Sequence, residues 1–165
     1  MKTVFLDRDG VINVRPIDDW VKCWEEFHFL DGVPEALKLL KDEGFRLVLI
    51  TNQRCLALGL ITRQQLDDIH ALMNQYLVEN GSAAFDDIYV CPHDRHEGCE
   101  CRKPKPGMIL QAQSKHMDFS VDDCVMFGDR ESDRGAAEAA GCKEFYQINA
   151  ENSLLDKVRE YLTTL

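Results

Sequence analysis

The stretch Phe5-Leu6-Asp7-Arg8-Asp9-Gly10-Val11-Ile12-Asn13 runs an apolar segment into two aspartates one residue apart, and then into a glycine. Thr3 to Leu6 reads as a short strand, and its polar tip asks for more than a turn. In extended backbone residues i and i+2 point the same way, so Asp7 and Asp9 face one edge together, while Gly10 allows a sharp turn or a close backbone approach. Two adjacent anions repel unless something uses them. A divalent cation is the natural user, since hard oxygen ligands suit Mg²⁺, which tolerates a site shared with a phosphate.

Outward from this stretch, strand and helix signals alternate. Phe45 to Thr51, Ile88 to Cys91, Cys124 to Phe127 and Glu144 to Ile148 are further short apolar runs. Between them, Pro34 suits a first helical turn, with Leu37 and Leu40 on its inner face and Gly44 as its stop. Thr62 and Gln65 form a capping box ahead of a stripe of Leu66, Ile69, Met73, Tyr76 and Leu77, closed by Gly81. Pro106 to His116, Ser132 to Ala140 and Ser153 to Leu162 are the remaining helix candidates. This alternation predicts a three-layer α/β fold around an open, mainly parallel sheet. In such a sheet the carboxyl ends of the strands share one edge, where ligands bind. The second strand ends in Thr51-Asn52-Gln53 and the fourth in Gly128-Asp129-Arg130-Glu131-Ser132-Asp133. Asp7, Asp9, Thr51, Asn52, Asp129 and Asp133 are therefore expected to converge. A lone Asp-x-Asp-Gly is most often a turn, but a purely structural sheet has no need of polar tips on several matching strand ends. Two irregular stretches, Val14 to Leu30 and Pro92 to Pro106, are long enough to suspect of function.

The 165 residues, 45% hydrophobic, fit a single domain over residues 1–165. A net charge of −10 disfavours nucleic-acid binding while leaving room for a small anionic substrate held by a local basic patch. The lack of a membrane-length apolar run or an export signal leads to the expectation of a cytoplasmic protein without membrane contact, acting as a monomer.

Seven cysteines are many for such a chain. Cys91 and His93 lie one residue apart, as do Cys99 and Cys101, so four ligands fall within residues 91–101. Three thiolates and one imidazole match a closed tetrahedral structural zinc site, with free thiols or a Cys99–Cys101 disulfide as the alternatives. His96 is the spare. Cys23, Cys55, Cys124 and Cys142 read as small apolar packing groups. A metal-fixed loop would hold the basic residues that follow, Arg102 and Lys103, ready for a phosphate at little ordering cost. Lys105 reads as a surface lysine.

The motifs DRDGVIN, TNQ, CRKPKPGM and GDRESD, in this order and spacing, resemble the haloacid dehalogenase superfamily of phosphotransferases. Within it they are most similar to the small capless branch of histidinol-phosphate and heptose-bisphosphate phosphatases (subfamily IIIA). The resemblance implies a Rossmann-like fold with no inserted cap and Mg²⁺-dependent phosphomonoester hydrolysis through a phosphoaspartyl intermediate. The implied substrate is a small sugar phosphate. A heptose 1,7-bisphosphate losing its C7 phosphate leads, and histidinol phosphate is the alternative. It also implies that Asp7 is the nucleophile and Asp9 the general acid and base. Mg²⁺ would be held by Asp7, the Asp9 carbonyl and Asp129, with Asp133 behind them. Thr51 and Asn52 would bond phosphoryl oxygens, with Gln53 beside them as a substrate-binding candidate, Lys103 would neutralise the phosphate and Arg102 would contact substrate. The Cys91, His93, Cys99 and Cys101 loop is similar to the zinc loop of the same branch.

Chemistry adds that Asp9 must spend part of the cycle protonated, with a raised pKa. The chain departs from the branch after TNQ. Where Ser-Gly-Ile-Ala-Arg-Gly is usual, it has Arg54-Cys55-Leu56-Ala57-Leu58-Gly59, so Leu58 replaces an arginine and the basic residue is Arg54: either a distal phosphate or sugar hydroxyl is met from there, or the substrate differs. Trp20 and Trp24 read either as pocket walls or as packing anchors. A catalytically silent, zinc-stabilised binding domain is the reading from another class, and a nucleic-acid end phosphatase is disfavoured by the charge.

Overall fold

Along β1 (Thr3–Leu6), Val4 and Leu6 pack on one face of the sheet and Phe5 on the other, the period-two consequence of extended backbone. β2 (Arg46–Asn52) repeats the division, with Leu47 and Leu49 opposite Val48 and Ile50. Both faces are therefore apolar, as expected of a parallel sheet covered on two sides. The computed structural model describes all of residues 1–165. With β3 (Asp87–Cys91), β4 (Val125–Gly128) and β5 (Glu144–Gln147), the sheet has the order β3-β2-β1-β4-β5, and every pairing is parallel.

The first face is covered by α1 (Val33–Asp42), α2 (Arg63–Glu79) and α5 (Leu154–Leu162), and the second by α3 (Gly107–His116) and α4 (Glu131–Ala140). Each fully buried leucine or phenylalanine in these layers stabilises the fold by about 1.5–3 kcal/mol. No inserted domain interrupts the order β1-α1-β2-α2-β3-α3-β4-α4-β5-α5. No helix is long and apolar enough to cross a membrane.

The expected elements are present, with ends moved by about one residue. Ser153 caps α5 instead of opening it, its hydroxyl accepting from the Asp156 N–H at 3.1 Å. Thr62 and Gln65 make the anticipated capping box on α2. Tyr76 departs from the predicted stripe. It is 41% exposed and stacks on Phe29 with centroids 5.0 Å apart, because the loop after β1 comes over that side of the helix. Cys23 also departs, being exposed in the same loop, whereas Cys55 and Cys124 are buried as expected and Cys142 is partly so.

The chain leaves β1 towards β2 on one side, while β4 lies on the other. The carboxyl ends of β1 and β4 thus flank a topological switch point, where this architecture opens a crevice.

Candidate active site

Asp7 follows β1, Asp129 follows β4, and Asp133 lies in the first turn of α4. One carboxylate oxygen from each lies within 4.8 Å of the others. Asp133 is held by α4 itself, one oxygen accepting from the backbone N–H groups of Asp129 and Arg130 at 3.1 and 3.0 Å. Its other oxygen accepts from Lys103 Nζ at 2.6 Å, and the same ammonium donates to Asp7 at 2.7 Å and to the Ile50 carbonyl at 3.0 Å. Lys103 is 4% exposed. Its burial opposes the charge, but the Asp7 and Asp133 carboxylates outweigh it and the ammonium is held charged.

Burial, reinforced by Asp133 and Asp129, pushes the Asp7 carboxyl up to about 8 against the pull of Lys103. Asp129 is pushed the same way, first by burial. Negative charge is in excess here, and the donors are hard oxygens, which is the set that suits Mg²⁺.

Asp9 behaves differently from the expectation. Burial again works to raise its pKa, but Arg8, Asn13 and Arg15 overcome it and the net shift is downward. Arg8 donates to its Oδ1 from Nε and Nη2 at 3.3 and 3.0 Å, Asn13 donates to that oxygen at 2.9 Å, and Gln53 donates to Oδ2 at 3.1 Å. Four donors aimed at one carboxylate keep it ionised.

Gln53 is accordingly not on the substrate side. It is fully buried, with its amide spent on Asp9 and on Thr51 Oγ1 at 2.9 Å. Thr51 is buried beneath it. Asn52 reaches the cavity but clasps the Lys103 backbone, accepting from its N–H at 3.0 Å and donating to its carbonyl at 3.2 Å.

Above these groups opens a polar cavity of about 400 Å³. Asp7, Asp9 and Lys103 lie along it, with Arg54, Arg102 and Arg130 among its walls. Arg54 is turned towards the loop after β3, its Nε donating to Asp94 at 2.5 Å. Arg102 has a buried Nη1 without a partner. Of the two tryptophans, Trp20 lines the cavity, whereas Trp24 is a packing anchor against Phe27, Phe29 and Tyr76.

The ligand atoms of Cys91, His93, Cys99 and Cys101 also lie within 4.8 Å of one another. Cys91 Sγ is 3.7 Å from Cys99 Sγ and 3.5 Å from His93 Nδ1, which is 3.2 Å from Cys101 Sγ. A zinc–sulfur bond of about 2.3 Å in tetrahedral geometry places sulfurs about 3.7 Å apart, so the four atoms fit that ion. No disulfide joins Cys99 to Cys101 or any other pair of the cysteines. His96 is exposed, as expected of a spare. Lys105, also exposed, donates to the Cys99 carbonyl at 2.7 Å and so braces the loop.

Sequence reasoning passed over Arg8, Asn13, Arg15 and His70. Arg8, between the two aspartates, is fully buried and donates from Nη1 to His70 Nε2 at 3.0 Å. Arg15 Nη2 donates to the Asp9 carbonyl at 2.7 Å and to both Asp129 oxygens at 3.2 and 3.1 Å. A signal for Arg15 existed, a cation just after the paired aspartates in a stretch already suspected of function.

Comparison with known proteins agrees with this architecture. A family model described as haloacid dehalogenase-like hydrolase matches residues 18–141, beginning downstream of Asp7 and Asp9. The D-glycero-beta-D-manno-heptose-1,7-bisphosphate 7-phosphatase of Vibrio cholerae is 42% identical over 145 residues, 84% of this chain and 76% of the relative. The D-glycero-alpha-D-manno-heptose-1,7-bisphosphate 7-phosphatase of Mycobacterium tuberculosis is 36% identical over 154 residues, 91% of this chain and 80% of the relative. The crystal structure of D,D-heptose 1,7-bisphosphate phosphatase from B. bronchiseptica, complexed with magnesium and phosphate, superposes with a TM-score of 0.90 at 31% identity, covering 100% of both chains. Acidic strand tips around one lysine, the sheet that presents them and these likenesses agree, and the chain belongs to the haloacid dehalogenase-like hydrolases.

Proposed function

We propose that residues 1–165 form one phosphatase domain that removes the C7 phosphate of D-glycero-D-manno-heptose 1,7-bisphosphate. The observation that carries this reading is Lys103 Nζ, buried and 2.7 Å from Asp7 Oδ1 at a polar cavity walled by arginines. An ionised carboxylate is repelled by a phosphate dianion unless cations neutralise both, and the site has such a cation against the attacking oxygen. The names of the relatives support the choice of substrate.

In this reading an Asp7 oxygen attacks phosphorus and the bond to the C7 oxygen breaks, with Asp9 giving that oxygen its proton. Asp9 then takes a proton from water, whose oxygen attacks the phosphoaspartate and releases inorganic phosphate and Asp7. The charge of the phosphate entering beside Asp9 opposes the donors that hold it ionised and brings its pKa up. Asp7, Asp129 and the Asp9 carbonyl would hold Mg²⁺, with Asp133 behind them, and the bound ion offsets charge on the transferred group. Cys91, His93, Cys99 and Cys101 would hold a structural zinc that fixes the loop leading to Arg102 and Lys103. Arg54, Arg102 and Arg130 would meet the sugar and its second phosphate.

Steady-state specificity constants for both anomers of the heptose bisphosphate and for histidinol phosphate test this. A preference of at least about tenfold, or ~1.4 kcal/mol, for one heptose anomer is expected. Faster turnover of histidinol phosphate overturns the substrate, and absence of any Mg²⁺-dependent turnover overturns the enzyme.

A further inference from the structure

We propose that Arg15 is a built-in cation that stands in the magnesium position and must leave when the ion enters. This rests on the reading of Asp7, the Asp9 carbonyl and Asp129 as the ion's ligands. A single nitrogen, Nη2, lies 2.7 Å from the Asp9 carbonyl oxygen, 3.1 and 3.2 Å from the two Asp129 oxygens and 3.8 Å from Asp7 Oδ2. These are the three groups assigned to the ion. Mg²⁺ binds oxygens at about 2.0–2.1 Å in near-ideal octahedral geometry. A nitrogen hydrogen-bonded to the Asp9 carbonyl and both Asp129 oxygens, and paired at 3.8 Å with Asp7, stands in the volume the ion needs, so occupation is exclusive.

Of the two cations beside Asp7, Arg15 is the one able to move. Lys103 is 4% exposed and fixed by three acceptors, whereas the Arg15 side chain is 31% exposed along the cavity. Asp18 lines the same cavity and can receive the guanidinium after it swings out, whereas the neighbouring Asp19 is paired with Lys22. Gly10 brings the partners together, since a Cβ there would lie 2.1 Å from Asp129 Oδ2 and 3.4 Å from Arg15 Nε.

A site free for only a fraction of the time binds its ligand more weakly by that fraction. A guanidinium in place nine-tenths of the time weakens apparent metal affinity about tenfold. Removing it should return that factor, where a merely structural arginine would return nothing.

The test uses the full zinc-loaded chain and Mn²⁺ as a paramagnetic stand-in for Mg²⁺, with binding followed by spin resonance. Arg15→Gln is expected to bind Mn²⁺ roughly five- to tenfold more tightly than the wild type. It should also melt at a lower temperature without divalent ions, the deficit closing at saturating Mg²⁺. In the wild type, the Arg15 Nε–H resonance should leave its bound position as Mg²⁺ saturates, a readout that needs no variant. Equal or weaker Mn²⁺ binding by Arg15→Gln, or an Nε–H resonance indifferent to Mg²⁺, overturns this proposal alone. Failure of any protein to take up Mn²⁺ overturns the metal-site reading with it.

Discussion

The carboxylate cluster and the thiol loop differ in what holds them together without an ion. The cluster draws Asp7, Asp129 and Asp133 from opposite ends of the chain and intersperses its own cations, Lys103 and Arg15. The loop draws all four ligands from residues 91–101, contains no helix or strand after Cys91, and sets no ammonium or guanidinium against the sulfurs. An anionic site with internal counter-ions keeps its shape when empty and remains open to exchange. A site of thiolates without them depends on the metal for its geometry. Magnesium removal should therefore silence the protein reversibly, and removal of the zinc proposed for the thiol loop should deform it.

The largest effect expected is from Asp7→Asn. Loss of the proposed attacking oxygen should lower kcat by at least about 10³-fold, while metal content and circular dichroism stay as in the wild type. Retained phosphate release would take Asp7 out of the chemistry and leave the cluster a structural feature. Next comes Cys101→Ser, which breaks the loop two residues before Lys103. A shift of about 1 Å in a positioned group costs roughly 10²-fold, so kcat/KM should fall by that order together with the melting temperature. A fall in melting temperature alone would show the loop and the lysine to be uncoupled, and the two regions would no longer be one machine.

Two glycines sharpen the contrast at smaller scale. Gly10 has φ +85° with Asp129 Oδ2 2.1 Å from where a Cβ would be, while Gly98 in the thiol loop has φ +71° with open space around it. Gly98→Ala should lose about 1 kcal/mol from backbone strain alone, read from urea midpoints. Gly10→Ala should lose more and also weaken Mg²⁺ activation about tenfold, because the Asp129 side chain has to move.

The sheet and the acidic tips were legible because each is a local pattern: an apolar run followed by carboxylates, repeated at strand ends that a parallel sheet aligns. The thiol loop was more legible still, since its ligands are neighbours in sequence and their number fits one ion. The orientation of side chains was not legible. Nothing in Thr51-Asn52-Gln53 says that the glutamine turns inward to Asp9 or that the asparagine clasps the Lys103 backbone. Both depend on contacts between segments tens of residues apart. Arg8 and Arg15 carried the same ambiguity. An arginine in a sequence is as readily a solvated surface group as a buried counter-ion, and its partners decide which.

The smallest effect concerns the support behind Asp9, where Arg8 links that carboxylate to His70. His70 Nε2 accepts from Arg8, which requires an unprotonated nitrogen, and the ring is buried. Burial first, then Arg8 and Arg63, depress its pKa from 6.5 to about 3. The unfolded chain therefore binds a proton below pH 6.5 that the folded chain refuses. Stability contributed by the neutral ring is complete above 6.5 and is lost as pH falls towards 3, by about 1 kcal/mol per pH unit. His70→Gln keeps an oxygen that accepts from Arg8 but does not titrate, so its urea midpoint should fall less between pH 7 and 5 than that of the wild type. Any metal that the thiol loop releases in acid is released from both proteins and cancels in the difference. A pH-independent difference would mean that the folded ring takes up the proton, and Arg8 would then be held at Asp9 by some contact other than His70.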